Sequence, residues 1–425
     1  MAVGPIDRAS NLLSGRATIS RSGKWNTGEA MLIVDGDGHT VEPGDLWTAR
    51  MDQGRWGDWI PHRETVDGIY DEFWLGGVLR GGGRELVDGI CAKAGITPAQ
   101  FKEITAQLDL PGGADPHARI ADMDRDGIDA AVLYPTHSLF FGPTDPIEAL
   151  HDIEFVLACQ QTYNDWVAVY CQPYPDRLFG VGAVPLQDVH LAAAEAERIA
   201  SLGLKGVFIR PSPYIGELPL SHHVYDPFWT ACQSLGLPVA LHPGVHIDTP
   251  GACSKLGLVR PDQNLAITNA AVDEEYGGSA LGQAVGNTVD MIVSLGRILM
   301  GGVCERFPEL TFIFLESGGG WCATQLQRMD EQVEAFPLER QWLKMRPSEY
   351  FRRQCYISFD PDEWNLAASA EWIGPDRILW ASDYPHPEYR SQVVKELRER
   401  VSPLSEANQR KVAGGNAVAA YRLPV

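Results

Sequence analysis

The chain has no apolar run approaching the roughly 20 residues needed to cross a bilayer, and its N-terminus lacks a signal-peptide pattern. Positive charge is also scarce, with 35 Lys and Arg against 56 Asp and Glu and a formal net charge of -21. A nucleic-acid binder needs a basic patch against the phosphates. None is visible, so neither nucleic acid nor membrane is an expected partner. The eight cysteines, Cys91, Cys159, Cys171, Cys232, Cys253, Cys304, Cys322 and Cys355, form no CxxC pair. That leaves buried thiols in a reducing compartment as their reading, and cytoplasmic as the expected location. Internal repeats and low-complexity tracts are absent too.

What remains is the composition of a soluble globular protein, 44% hydrophobic and 21% charged. Residues 1–30, rich in Ser, Gly and Arg, read as a flexible N-terminal arm. Residues 31–425 read as one large domain. Eight short apolar runs punctuate it: Met31 to Val34, Ala130 to Tyr134, Leu178 to Val184, Gly206 to Ile209, Pro238 to Leu241, Thr311 to Leu315, Cys355 to Phe359 and Ile378 to Ala381. Continuous, often β-branched runs are what strands buried on both faces of a parallel sheet look like.

Between them lie amphipathic stretches at Pro146 to Tyr170, His190 to Leu204, Tyr225 to Leu235, Asn287 to Phe307 and Gln325 to Ala335. Strand and helix in alternation predict an α/β fold, a (β/α)8 TIM-type barrel, with a doubly wound open sheet as the runner-up. Two connections exceed a simple crossover, 48–120 after strand one and 245–286 after strand five. They read as a cap insert and a loop insert over the barrel mouth, where βα loops build active sites.

The unusual residues sit at the strand ends. "MLIVDGDGH" carries Asp37 and His39, "ALHPG" His242, "FLESGGGW" Glu316 and Trp321, and "WASDYPHPE" Asp383 and His386. Residues i and i+2 of a strand point the same way, so Asp37 and His39 can address one ion. His242 and Asp383 close the set from across the barrel. Two imidazoles and two carboxylates suit one Zn²⁺ or Mn²⁺ with positions left for water or substrate. Asp35, two residues before Asp37, reads as a support.

"DGDGHTVEP", "RIADMDRDGIDAAVLYPT", "GLPVALHPG", "CERFPELTFIFLESGGGW" and "ILWASDYPHPE" resemble the amidohydrolase-related proteins grouped with aminocarboxymuconate-semialdehyde decarboxylase and γ-resorcylate decarboxylase. The resemblance implies a single divalent metal on Asp37, His39, His242 and Asp383, and a homodimer. "FIRPS", ending strand four, offers no lysine for the carbamate bridge of two-metal relatives. Family decarboxylases usually carry a histidine after strand six, where this chain has Glu316. That glutamate is either a proton shuttle or a group that orients a metal ligand or Arg210.

Arg210 reads as the carboxylate clamp, with a salt bridge to Glu316 as the structural alternative. Trp321 and Trp59 are candidates for stacking on the substrate, and Trp56, Trp74 and Arg80 share the first insert with Trp59. His386 joins Asp383 and Glu316 as a catalytic candidate. The expected activity is metal-dependent, non-oxidative decarboxylation of an aromatic or unsaturated small-molecule carboxylate. The alternative is hydrolysis of a C–C, ester, lactone or amide bond by metal-bound water. A serine hydrolase on Ser317 is a weak third, because "LESGG" lacks the first glycine of a nucleophile elbow. The pair His242 and His246 in "HPGVH" is interrupted by Pro243 and Gly244, which argue against the helix a joint site would need.

Overall fold

The computed structural model describes residues 31–106, 110–142, 147–244, 281–386 and 389–425. The expected N-terminal arm, most of the second insert, and with it His246, lie outside the described residues. Strands fall at every expected station of a (β/α)8 barrel: β1 (Val34–His39), β5 (Ala130–Tyr134), β6 (Leu178–Gly180) with β7 (Gly182–Ala183), β8 (Val207–Ile209), β9 (Val239–Leu241), β10 (Phe312–Phe314), β11 (Cys355–Phe359) and β12 (Ile378–Trp380). Every ladder between barrel strands is parallel. Every residue of these strands is buried, which accounts for the mostly apolar character of all but β1, whose buried polar residues belong to the site.

Two places depart from an ideal ring. The expected run Leu178 to Val184 changes partners at Val181, so β6 pairs with β5 while β7 pairs with β8. Among the described residues no ladder joins β12 to β1, and the barrel is not closed there. Asp383 N donating to Asp37 O at 3.1 Å and His39 N donating to Tyr384 O at 2.6 Å cross that seam just beyond the end of β12.

The helices follow their periodicity with shifted ends. His190 to Leu204 becomes Val189–Ser201, started by the Asp188 carboxylate, which accepts from His190 N and Leu191 N. Asn287 to Phe307 breaks into Thr288–Leu299 and Val303–Arg306, with Gly302, at a φ of +79°, as the N-cap of the second helix. No helix among the described residues is long and apolar enough to cross a membrane.

The first insert is more ordered than its sequence suggests. It holds an antiparallel sheet of β2 (His62–Val66), β3 (Tyr70–Leu75) and β4 (Val78–Gly81), followed by helices Arg84–Ala94 and Pro98–Ala106. A small core of Tyr70, Val87 and Cys91, flanked by Val66, Ile69, Ile96 and Phe101, joins sheet to helices.

Candidate metal centre

Asp37 and His39 lie in β1, His242 directly follows β9, and Asp383 follows β12 by three residues. Burial is nearly complete for all four, from 0% exposed for both histidines to 9% for Asp383. The donor atoms of Asp37, His39 and His242 all lie within 4.8 Å of one another, and Asp383 joins through His39, in a second such group with His386. His39 Nε2 lies 3.2 Å from His242 Nε2, 3.6 Å from Asp37 Oδ1 and 3.4 Å from Asp383 Oδ1, and His242 Nε2 lies 3.7 Å from Asp37 Oδ1. Donors placed tetrahedrally at about 2.1 Å from a cation stand roughly 3.4 Å apart.

The proton inventory points the same way. His39 Nδ1 lies 2.8 Å from Pro135 O, and His242 Nδ1 lies 2.8 Å from Pro243 O. A carbonyl only accepts, so both Nδ1 atoms donate and both neutral rings aim an Nε2 lone pair inward. Two lone pairs facing each other repel unless positive charge lies between them. A proton does not supply it: burial first, then nearby positive charge, drives the His39 imidazole well below its ordinary value and takes His242 down to about 3.

Asp37 Oδ1, also buried, accepts no hydrogen bond. Its carboxyl is pushed well up by burial and then by repulsion from Asp383 and Asp35. A divalent cation relieves every one of these penalties, so the residues fit one.

Around this cage the side chains hold protons in place. Thr136 Oγ1 donates to Thr40 O at 2.7 Å, which leaves its oxygen to accept from His386 Nε2 at 3.0 Å. The other ring nitrogen, Nδ1, lies 2.8 Å from Asp383 Oδ1. With Nε2 donating, that contact holds a proton either on the ring or on the carboxyl. The Asp383–His386 pair is therefore a proton store beside the cage.

Glu316 Oε2 approaches His242 Nδ1 at 3.3 Å, which sets it against a ring that offers its other nitrogen to the cage. Glu316 and Asp383 have left-handed φ values of +45° and +54°. Non-glycine residues seldom adopt these, and when they do the strain is often found at functional sites.

Arg210, 2% exposed, donates to Leu139 O at 3.1 Å and to Gly244 O at 3.0 Å, two residues past His242. Trp321 donates its indole N–H to Ser317 O at 3.2 Å, at the start of the helix following the Glu316 loop. Trp59 stacks on Trp56 and meets Phe155 edge-on, and Trp74 donates to Glu72; these contacts are cap packing. Ser317 donates to Gly318 O at 3.3 Å.

Several supports escape a sequence reading. Glu42 accepts from the backbone N–H groups of Thr136, His137 and Ser138, fixing the loop that gives Pro135 O to His39 and Thr136 Oγ1 to His386. Its only signal was a place inside "DGDGHTVEP", and its partners are more than ninety residues away. Asp35, expected as a support, accepts from Ser382 N at 2.9 Å and Ser382 Oγ at 2.5 Å.

A parallel barrel with buried histidine and carboxylate donors gathered at its mouth defines a candidate metal centre. Residues 38–423 match the amidohydrolase family model, and the chain belongs to that family. It is 26% identical over 329 residues to 2-amino-3-carboxymuconate-6-semialdehyde decarboxylase of Dictyostelium discoideum, covering 77% of this chain and 80% of that one. To γ-resorcylate decarboxylase of Polaromonas sp. (strain JS666 / ATCC BAA-500) it is 25% identical over 322 residues, covering 72% and 86%. Among solved structures it resembles 5-carboxyvanillate decarboxylase of Novosphingobium aromaticivorans DSM 12444, complexed with manganese and 4-hydroxy-3-methoxy-5-nitrobenzoic acid. The TM-score is 0.61 at 21% identity, covering 95% of this chain and 100% of that one.

Proposed function

We propose that this protein is a metal-dependent, non-oxidative decarboxylase of an aromatic or unsaturated carboxylic acid. The observation that carries the reading is the Asp383–His386 pair at 2.8 Å, a held proton with Asp383 Oδ1 only 3.4 Å from His39 Nε2 in the cage. Names and titles of the relatives, which are decarboxylases of such acids and in one case a manganese complex, support the same reading.

Asp37, His39, His242 and Asp383 would hold the cation, which supplies Lewis-acid positive charge for the substrate carboxylate and a neighbouring oxygen. The remaining work falls to the chain. Arg210 grips the carboxylate, and Trp321 walls the ring. Asp383 gives its proton to the carbon bearing the carboxyl group, and a C–H bond forms. The C–C bond to that carboxyl then breaks, CO₂ leaves, and the bonding electron pair returns to the unsaturated system. His386 passes a proton back to Asp383, steadied by Thr136, while Glu316 orients His242. We further propose a cytoplasmic homodimer; the seven cysteines among the described residues are buried and free, which supports a reducing compartment.

The test is CO₂ release from a panel of ortho-hydroxybenzoates and carboxymuconate-type acids by manganese-loaded protein. Stoichiometric CO₂ and the decarboxylated product are expected. Turnover of esters or lactones with no CO₂ from any acid would replace the reading with hydrolysis.

The clamp yields its own prediction. A Cβ added at Gly244 would collide with the Arg210 guanidinium, and a displaced charged hydrogen bond costs about 1.5–3 kcal/mol. Gly244→Ala is expected to raise KM for the acid at least tenfold, with a smaller change in kcat. Steady-state kinetics showing an unchanged KM would remove Arg210 from the binding site.

A further inference from the structure

The proposed ligands stand on both sides of the barrel's open seam, Asp37 and His39 on the β1 side and Asp383 beyond β12. Elsewhere in the barrel, ladder hydrogen bonds set the register between strands. Here, among the described residues, only two backbone hydrogen bonds, Asp383 N to Asp37 O and His39 N to Tyr384 O, cross the gap, and side chains supplement them, most of them from one helix.

Pro116–Asp126 places Arg119, Asp122 and Asp126 at positions i, i+3 and i+7, along one face. Arg119 is 1% exposed. Its Nη1 donates to His39 O at 2.9 Å, its Nη2 lies 3.8 Å from Asp35 Oδ2, and its guanidinium covers the Tyr384 ring at 4.0 Å. Asp122 Oδ2 accepts from Tyr384 Oη at 2.5 Å, and Asp126 accepts from the Tyr389 hydroxyl. Tyr384 directly follows Asp383.

The packing reserves room for this arrangement. A Cβ at Gly38 would strike Arg119 Nη2, and one at Gly112 would strike the Tyr384 hydroxyl.

We propose that this helix face staples the seam, with Arg119 holding the β1 side and Asp122 holding Tyr384 on the β12 side, so that Asp383 stays in ligand register with Asp37 and His39. Arg119, Asp122 and Tyr384 are positioning residues, and what they set is the cage's affinity for its cation. The inference rests on the metal-centre reading above.

The experiment titrates Mn²⁺ into full-length wild type, Tyr384→Phe and Asp122→Asn, following Kd and the Mn²⁺ electron paramagnetic resonance spectrum. The Tm of each metal-free protein is measured in parallel. Tyr384→Phe removes only the hydroxyl, and Asp122→Asn keeps the side chain's shape. Expected is a Kd roughly 10–100-fold weaker, the range seen when groups behind metal ligands are changed, with an altered spectrum and only a modest fall in metal-free Tm for the hydrogen bond lost.

Wild-type Kd and spectrum in both variants overturn the staple alone. A weaker Kd with a wild-type spectrum and a fallen Tm also overturns it, because the effect is then general destabilisation. Wild-type protein that takes up no Mn²⁺ overturns the metal-centre reading, and the staple with it.

Discussion

Asp383→Asn is expected to lower kcat about a thousandfold or more while the protein stays folded and takes up its cation. Asp383 has a φ of +54°, a region asparagine enters more readily than most residues, so the substitution adds little strain. The amide keeps an oxygen toward His39 Nε2, 3.4 Å away in the wild type. What it loses is the capacity to take a proton from His386 and give it up again. A positioned general acid contributes about 10²–10⁴-fold. The measurement is CO₂ release beside metal content by elemental analysis; a near-wild-type rate in the fully loaded variant would end the acid role of Asp383.

His242→Ala is expected to empty the cage. Its Nε2 is one of the donors, 3.2 Å from His39 Nε2 and 3.7 Å from Asp37 Oδ1. Its loss also strips Glu316 of the ring it faces at 3.3 Å. Changes behind a ligand already cost about 10–100-fold in metal affinity, so loss of the ligand itself should exceed 100-fold and take activity with it. Unchanged metal stoichiometry after dialysis would refute the assignment. Activity that persists in wild type after complete chelation would dismiss the decarboxylase and metal-hydrolase readings together and return attention to Ser317.

The barrel was legible because strands covered on both faces are mostly apolar along their length, and eight such runs stood out between amphipathic stretches. Strand one was placed too early: the apolar run Met31 to Val34 shares only Val34 with β1, which runs through the turn-like Asp35, Gly36, Asp37 and Gly38 to His39 with an irregular register against β5. The cap sheet stayed hidden for a related reason. β2, "HRETV", has no buried residue, so it shows no alternation of buried and exposed positions.

At the centre, Asp37, His39, His242 and Asp383 could be picked out because each closes an apolar run. Pro135 and Pro243 could not, since a backbone carbonyl is the same in every residue. Arg119 and Glu42 act across 80 residues or more, a distance that no local periodicity encodes.

The open seam carries a consequence for what stability means in this protein. A cation shared between β1 and the segment after β12 would be a reversible cross-link between the first and last strands of the ring. By mass action, an ion bound only by the folded chain adds about 2.7 kcal/mol when its free concentration is 100 times Kd. Heat resistance then belongs jointly to the polypeptide and to the surrounding pool of metal, and scarcity of the ion would loosen the ring at its unlaced edge first.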